Sequence, residues 1–258
     1  MALKALRPMA AVLAVAMAAA CGGTKEEAPS GPPPNARRVD PSKAGNVTGR
    51  VMLAGPVPAN APIKMSADLF CTRANKDATF ETYLVDNGGL ENVFVYVKDG
   101  LGDYYFDVPN EPVALDQKGC HYTPHVVGLR TGQPLEISNS DETLHNVHAF
   151  AEKNRGFNYG QAMAGMKNTK TFTAPEVMIT FKCDVHGWMN AYAGVLNHPY
   201  FAVTKDGGAF ELKNLPAGTY TIEAWHEKLG AQTKSVTLGE KASKDITFTF
   251  TSPAAGTN

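Results

Sequence analysis

The chain lacks most of the marks that assign a function at sight. It has no Cys-x-x-Cys-His run for haem attachment and no glycine-rich run that would cradle a nucleotide phosphate. Past residue 20, no stretch is apolar and long enough to cross a bilayer as a helix. Charge of one sign is missing too: 24 Lys and Arg stand against 25 Asp and Glu, which gives no support to nucleic-acid binding. Helical periodicity is nearly absent; the pattern supports a single short helix over 66–75, with Ser66 as its N-cap. Cysteine is scarce, four in 258 residues, so each one needs an explanation.

What is present begins with a leader. Lys4 and Arg7 precede an apolar run over residues 9–20, too short for a membrane span but suited to a signal peptide over 1–20. Ala18-Ala19-Ala20 fits a small-residue cleavage site. With Cys21 it also resembles a bacterial lipobox, although Ala18 stands where Leu is usual. Either reading exports the chain. The lipobox reading puts a lipid on Cys21 and anchors the protein to a membrane of the periplasm or cell envelope. Residues 21–45, with Pro32-Pro33-Pro34, are too polar and proline-rich to bury a core and read as a flexible tether. Loss of Lys4 and Arg7 with the leader leaves 22 basic against 25 acidic side chains. Roughly 210 residues remain for one large or two small domains.

Period-two alternation dominates those residues. Val177, Ile179, Phe181 and Cys183 fall on one face of a strand; Ile246, Phe248 and Phe250 alternate with threonines, and Tyr220, Ile222 and Ala224 follow the same rule. Asn87-Gly88-Gly89, Asp99-Gly100, Asp206-Gly207-Gly208 and Pro216-Ala217-Gly218 punctuate the runs as turns. The pattern predicts an all-β protein of antiparallel sandwich type.

One strand ends in chemistry. Cys183-Asp-Val-His186-Gly-Trp-Met189 packs a thiolate, an imidazole and a thioether into seven residues, three of the four ligands of a blue-copper site. The fourth should be a second histidine. His145 and His148 are three apart on one predicted strand and point to opposite faces, so only one of that pair can enter the site. His121, His125, His198 and His226 show no compact ligand spacing and read as surface or locally hydrogen-bonded groups. A single cysteine in the loop argues against a two-copper centre. If Cys21 carries lipid and Cys183 binds metal, Cys71 and Cys120 remain. An exported compartment permits a disulfide between them, closing a loop of about 50 residues worth roughly 2–4 kcal/mol.

Residues 111–198 carry a family resemblance. Tyr122-x-Pro124, Val127, Leu129 and Gly132, then Leu135-x-Ile137-x-Asn139 leading to His145-Asn146-Val147, then Phe172-Thr-Ala-Pro175 leading to Ile179-x-Phe181-x-Cys183, together resemble the cupredoxins, a Greek-key β-sandwich family. The Cys-x2-His-x2-Met spacing is similar to the short ligand loop of amicyanin. The resemblance implies one type 1 copper held by His145, Cys183, His186 and an axial Met189. It makes Asn146 the residue that ties the His145 strand to the ligand loop. It implies that His186 reaches the surface as the electron port, with Trp188 touching the partner. That partner would be a redox protein such as a c-type cytochrome or a membrane oxidoreductase. The expected function is single-electron transfer without catalysis. The flanks, Asn46-Val-Thr-Gly-Arg-Val51, Asn92-Val-Phe-Val-Tyr-Val97 and Val203-Thr-Lys-Asp-Gly-Gly-Ala-Phe210 running on to Tyr220, resemble a carboxypeptidase regulatory-like, transthyretin-like β-sandwich. That resemblance implies a sandwich split into 46–110 and 199–251 around the cupredoxin, with two successive domains as the alternative; residues 252–258 are left as a tail. Two other functions stay open. A copper store or delivery protein would show a Met- or His-rich tract, whereas the nine methionines here are dispersed. A polymer-binding module would expose an aromatic platform, for which Tyr220 and Trp225 are the candidates.

Overall fold

The computed structural model describes Met1, Pro32 and residues 35–253; the leader, Cys21 and residues 254–258 lie outside the described residues. The N-terminal part forms β1 (Gly45–Ala54), the helix α1 (Leu69–Ala74), β2 (Val85–Asp86), β3 (Gly89–Leu90) and β4 (Phe94–Asp99). The middle forms β5 (Val113–Lys118), β6 (His121–Thr123), β7 (Val126–Arg130), β8 (Pro134–Asn139), β9 (His145–Phe150), β10 (Phe157–Gln161), β11 (Lys167–Thr171), β12 (Glu176–Lys182) and β13 (Asn190–Leu196). The C-terminal part adds β14 (Phe201–Val203), β15 (Ala209–Leu215), β16 (Gly218–His226), β17 (Gly230–Leu238) and β18 (Ser243–Thr251).

The middle strands make two sheets, in the orders β10-β9-β12-β13-β7 and β11-β8-β5-β6. Between them lies a core of Leu115, Leu129, Ile137, Phe172, Ile179 and Phe181. Alternation explains it: Ile179, Phe181 and Cys183 are buried while Lys182 is exposed. The terminal parts make a second pair of sheets. In one, β1 pairs with β15, β18 and β3, and β2 lies beyond; the other runs β14-β4-β16-β17. Their shared core holds Val51, Leu90, Val97, Ile222, Phe248 and Phe250. Strands from before and after the middle region thus pair directly with one another.

Several expectations change. The sheets are mixed rather than wholly antiparallel: β1 runs parallel to β18 from Asn46 opposite Ser243 to Ala54 opposite Thr251. β13 runs parallel to β7 and β5 to β8. The helix begins later than predicted, because Asp68 rather than Ser66 caps it, accepting from the amides of Phe70 and Cys71. The segment around that helix, placed by sequence with the flanking sandwich, instead buries Met65, Cys71 and Ala78 in the middle region's core. The end of the presumed tether is tied down: the Arg37 guanidinium lies 4.2 Å over the Tyr104 ring and Arg38 pairs with Asp107. Tyr220 is buried in the second core, and Trp225 packs at the junction beside Tyr192, which removes both as an exposed platform.

The junction between the two regions uses missing side chains. Gly194 on β13 stands opposite Gly128 on β7. The rings of Phe94 and Phe201, 5.7 Å apart and stacked, fill the space above them. A Cβ added at Gly194 would lie 2.3 Å from the Phe94 ring, and one at Gly128 would lie 2.4 Å from Phe201. Glycine is required here by close approach, not by backbone angle.

Candidate metal centre

The site sits at one pole of the middle region, where antiparallel pairing brings the start of β9 next to the end of β12. Lys182 stands opposite His148, so the chain past Lys182 runs alongside His145, Asn146 and Val147. Asn146 locks the two together. Its side-chain Oδ1 accepts from the Asp184 amide at 2.6 Å, and its side-chain NH2 donates to Asn158 and Asp184. The Tyr122 hydroxyl donates to the Asn146 carbonyl at 2.6 Å. The loop from Cys183 closes on itself: the Cys183 amide donates to the Met189 carbonyl at 3.2 Å and the Met189 amide to the His186 carbonyl at 2.9 Å. Cys183 and Met189 are both buried in the middle core.

His145, Cys183 and His186 offer ligand atoms within 4.8 Å of one another. The two Nδ1 atoms of His145 and His186 face each other at 2.9 Å, and Cys183 Sγ lies 3.9 Å from His186 Nδ1. Each Nε2 is committed elsewhere. His145 Nε2 donates to Asp141 Oδ2 at 2.9 Å and His186 Nε2 to Asp68 Oδ2 at 3.1 Å. An ionised carboxylate only accepts, so both imidazoles carry a proton on Nε2 and turn Nδ1 into one space. Two lone pairs 2.9 Å apart repel unless a shared cation, a proton or a metal ion, draws both.

The electrostatics agree. Burial raises Asp141, yet its bonds from His145 and from the amides of Cys120 and Gly119 hold it below the usual carboxylate range. Burial acts the same way on Asp68 and is outweighed by Thr143, the Cys71 amide, His186 and the Phe70 amide. Burial alone would lower His145, but Asp141 and the Cys183 sulfur push it up to about 9. Burial keeps His186 below its ordinary value. The Cys183 thiol is raised by burial and lowered further by His145 and the amides around it, ending below its ordinary value. A thiol inclined to ionise beside two converging imidazoles is a soft, nitrogen- and sulfur-bearing donor set of the kind copper takes. The residues therefore fit a copper ion.

Two neighbouring groups, Asp68–Cys71–His186 and Cys120–Asp141–His145, are equally compact. Their sulfurs are joined in a Cys71–Cys120 disulfide, with Cα atoms 5.6 Å apart and 49 residues between them in sequence. Cys183 is the free cysteine among the described residues.

The expected exposure of His186 is corrected: it is only 2% exposed. The helix α1 segment covers it. Asp68 takes its Nε2, Cys71 Sγ lies 3.7 Å from that nitrogen, and the Trp188 ring stands 5.0 Å from its ring. Trp188 is half-buried and donates its indole N–H to the Cys120 carbonyl at 3.1 Å, a packing role over the site. Exposed apolar groups remain nearby in sequence to the ligands and their cover: Leu69, Leu144 and Val185. His148 points away, pairing with Asp184. Of the other histidines, His121 leaves its buried Nε2 without a partner, while the remaining three find partners inside. His125 meets Glu227 at 2.6 Å, His226 donates to the Thr82 carbonyl, and His198 accepts from the Tyr200 amide. Sequence reasoning missed Asp141 and Asp68. The first stands four residues before His145; the second is the true helix cap, three residues before Cys71.

No protein-family model matches the chain, and no curated protein matches it. Among solved structures, a copper-containing nitrite reductase from Thermus scotoductus SA-01 aligns with 58% of this chain and 28% of its own, at 14% identity and TM-score 0.33. The chain thus spans under a third of that enzyme. A mutant of amicyanin in its Cu(I) form aligns with 34% of this chain and 86% of its own, at 20% identity and TM-score 0.30. A purple cupredoxin from Nitrosopumilus maritimus aligns with 32% and 97%, at 16% identity and TM-score 0.28. The likeness to cupredoxin-like proteins is weak and partial.

Proposed function

We propose that this protein is a type 1 copper protein that passes single electrons between redox partners and catalyses no reaction of its own. One observation carries the reading: the two Nδ1 atoms converge at 2.9 Å beside a buried, acidified thiol that forms no disulfide. Copper bound there supplies a couple between Cu(II) and Cu(I). Cys183 and the two imidazoles would hold the ion, and the buried Met189 would offer a thioether as a further ligand. The loop hydrogen bonds and Asn146 keep those groups in place whichever charge they face, so little has to move when an electron passes. The sealed pole keeps water from the ligands.

The closed cover speaks for retention over release, which disfavours a delivery protein. It also moves the expected partner contact from Trp188 to the apolar rim of Leu69, Leu144 and Val185, where a c-type cytochrome or membrane oxidoreductase would dock. The lipid on Cys21 would hold the protein to the membrane of the cell envelope. The flanking pair of sheets would serve as a carboxypeptidase regulatory-like spacer between anchor and redox pole.

Titration of the reduced-thiol, metal-free protein with Cu(II) tests the reading. The expected result is an intense thiolate-to-copper absorption at one equivalent, lost in Cys183→Ser. A folded sample that stays colourless, or a Cys183→Ser variant that keeps the band, overturns it.

A further inference from the structure

The cover over His186 and the support of His145 share one covalent part. Asp68, which takes His186 Nε2, is itself held by the Cys71 amide at 3.2 Å and the Phe70 amide at 2.7 Å. Asp141, which takes His145 Nε2, is held by the Cys120 amide at 2.8 Å and the Gly119 amide at 2.8 Å. The two cysteines whose amides grip the two carboxylates are the two halves of the disulfide. The two arms differ in sequence reach: Asp68 meets a histidine 118 residues away, whereas Asp141 meets one only four residues on.

We propose that Asp68 and Asp141 are positioning residues for the copper, and that the Cys71–Cys120 disulfide is the brace that sets both ligand imidazoles at once. This rests on the copper reading above. Each carboxylate fixes the tautomer and plane of one histidine and makes it a stronger donor. Fixing both from one covalent link sets the angle between the rings, now 68°. Two carboxylates at the far nitrogens also favour the ion of higher charge, so they stabilise Cu(II) over Cu(I).

The test is the reduction potential and Cu(II) EPR spectrum of the copper-loaded protein and three variants. Asn caps a helix as well as Asp does, so Asp68→Asn keeps the cap on its one oxygen, but it puts an NH2 where Oδ2 now accepts from His186 Nε2 and Thr143, removing both the charge and that acceptor. Asp68→Asn and Asp141→Asn are each expected to weaken Cu(II) about tenfold relative to Cu(I), which is a rise of about 59 mV for one electron. The far-UV circular dichroism of the Asp68→Asn apoprotein should stay as in the parent, since the cap is kept. Cys71→Ala with Cys120→Ala is expected to retain one copper but to alter the hyperfine splitting, since the rings lose their common brace. If both Asn variants keep the parental potential and spectrum, the proposal is overturned, whether or not the double alanine variant folds. A parent protein without the thiolate band fails the copper reading instead, so the two failures are distinct.

Discussion

The two sandwiches solve the same packing problem with different interiors. The flanking pair of sheets is filled with Val, Leu, Ile, Tyr and Phe. Its buried polar side chains are few among the described residues: Thr204, Glu223 and His226. Glu223 is answered by the Tyr96 hydroxyl at 2.6 Å and by Lys98. The middle region buries Gln117, Asn139, Asp141, His145, Gln161 and His186 toward the pole that carries the ligand cluster. A buried polar group without a partner costs about 1–3 kcal/mol. Most of them are bonded: Asn139 donates to the Thr143 and Gln161 carbonyls, Gln161 donates to Ile137 and Asn168, and Gln117 donates to the Ser138 carbonyl, although the Gln117 Oε1 finds no partner. One core maximises apolar burial, while the other gives some of it up to hold titratable groups in fixed positions, which is how functional sites are commonly marked.

The sharpest way to break that comparison is to damage each core equally. Phe181 and Phe248 are both fully buried, one in each core. Phe181→Ala and Phe248→Ala should each cost about 3–5 kcal/mol, by lost transfer energy and the cavity left behind. The losses should differ in kind. Phe181 lies two residues before Cys183 on β12, so its removal should weaken copper retention and broaden the blue band below the unfolding transition. Phe248→Ala should leave the band unchanged until the protein unfolds. Denaturation followed by both colour and circular dichroism separates the two. Equal damage to the band from both variants would mean the cores do not act separately.

This contrast was half legible in the sequence. Strand alternation places Ile179, Phe181 and Cys183 on one buried face of β12, and Phe248 and Phe250 on a buried face of β18, because the period of two is local. Strand direction is not local. Nothing in the alternation of residues 46–54 tells that their neighbour lies 197 positions on and runs parallel. The ligand loop is a short motif and could be read; its cover is a contact across 118 residues, and the Asp68 that makes it looks in sequence like one more polar residue before a helix. Placing the cap at Ser66 hid that aspartate. The disulfide pairing was reachable by elimination, but its place against His186 was not.

The second way to sharpen the comparison is acid. His198 stands on the connection from β13 to β14, where the chain leaves the middle region. Burial, and then the nearby Arg130 charge, lower it from 6.5 to about 4. The folded state therefore keeps His198 neutral between those values while the unfolded chain takes up a proton. Stability should fall as pH drops from about 6.5 to about 4, by up to about 3 kcal/mol from this group. His121, His186 and His226 are lowered as well and act with the same sign. The difference curve between the parent and His198→Gln isolates the one contribution. Urea midpoints at pH 6.5 and 5 should converge in that variant, and parallel curves would show that His198 is not held neutral.

The smallest expected effect lies at the junction itself. Gly194 and Gly128 are flat on adjacent parallel strands, and the Phe94 ring, fully buried, rests on them. Gly194→Ala puts a methyl where the ring now sits, 2.3 Å from its edge. Neither glycine is in a left-handed backbone conformation, so the cost is steric alone and should be about 1–3 kcal/mol. Because the clash falls between the cores, unfolding should be destabilised without a change in the copper band. Combining it with Phe94→Leu should recover part of the loss, since the smaller side chain leaves room for the methyl, and the interaction energy from the double-mutant cycle should be clearly nonzero. An additive cycle would mean that Phe94 already has space to move, and that the two sandwiches meet more loosely than the close approach of ring and backbone implies.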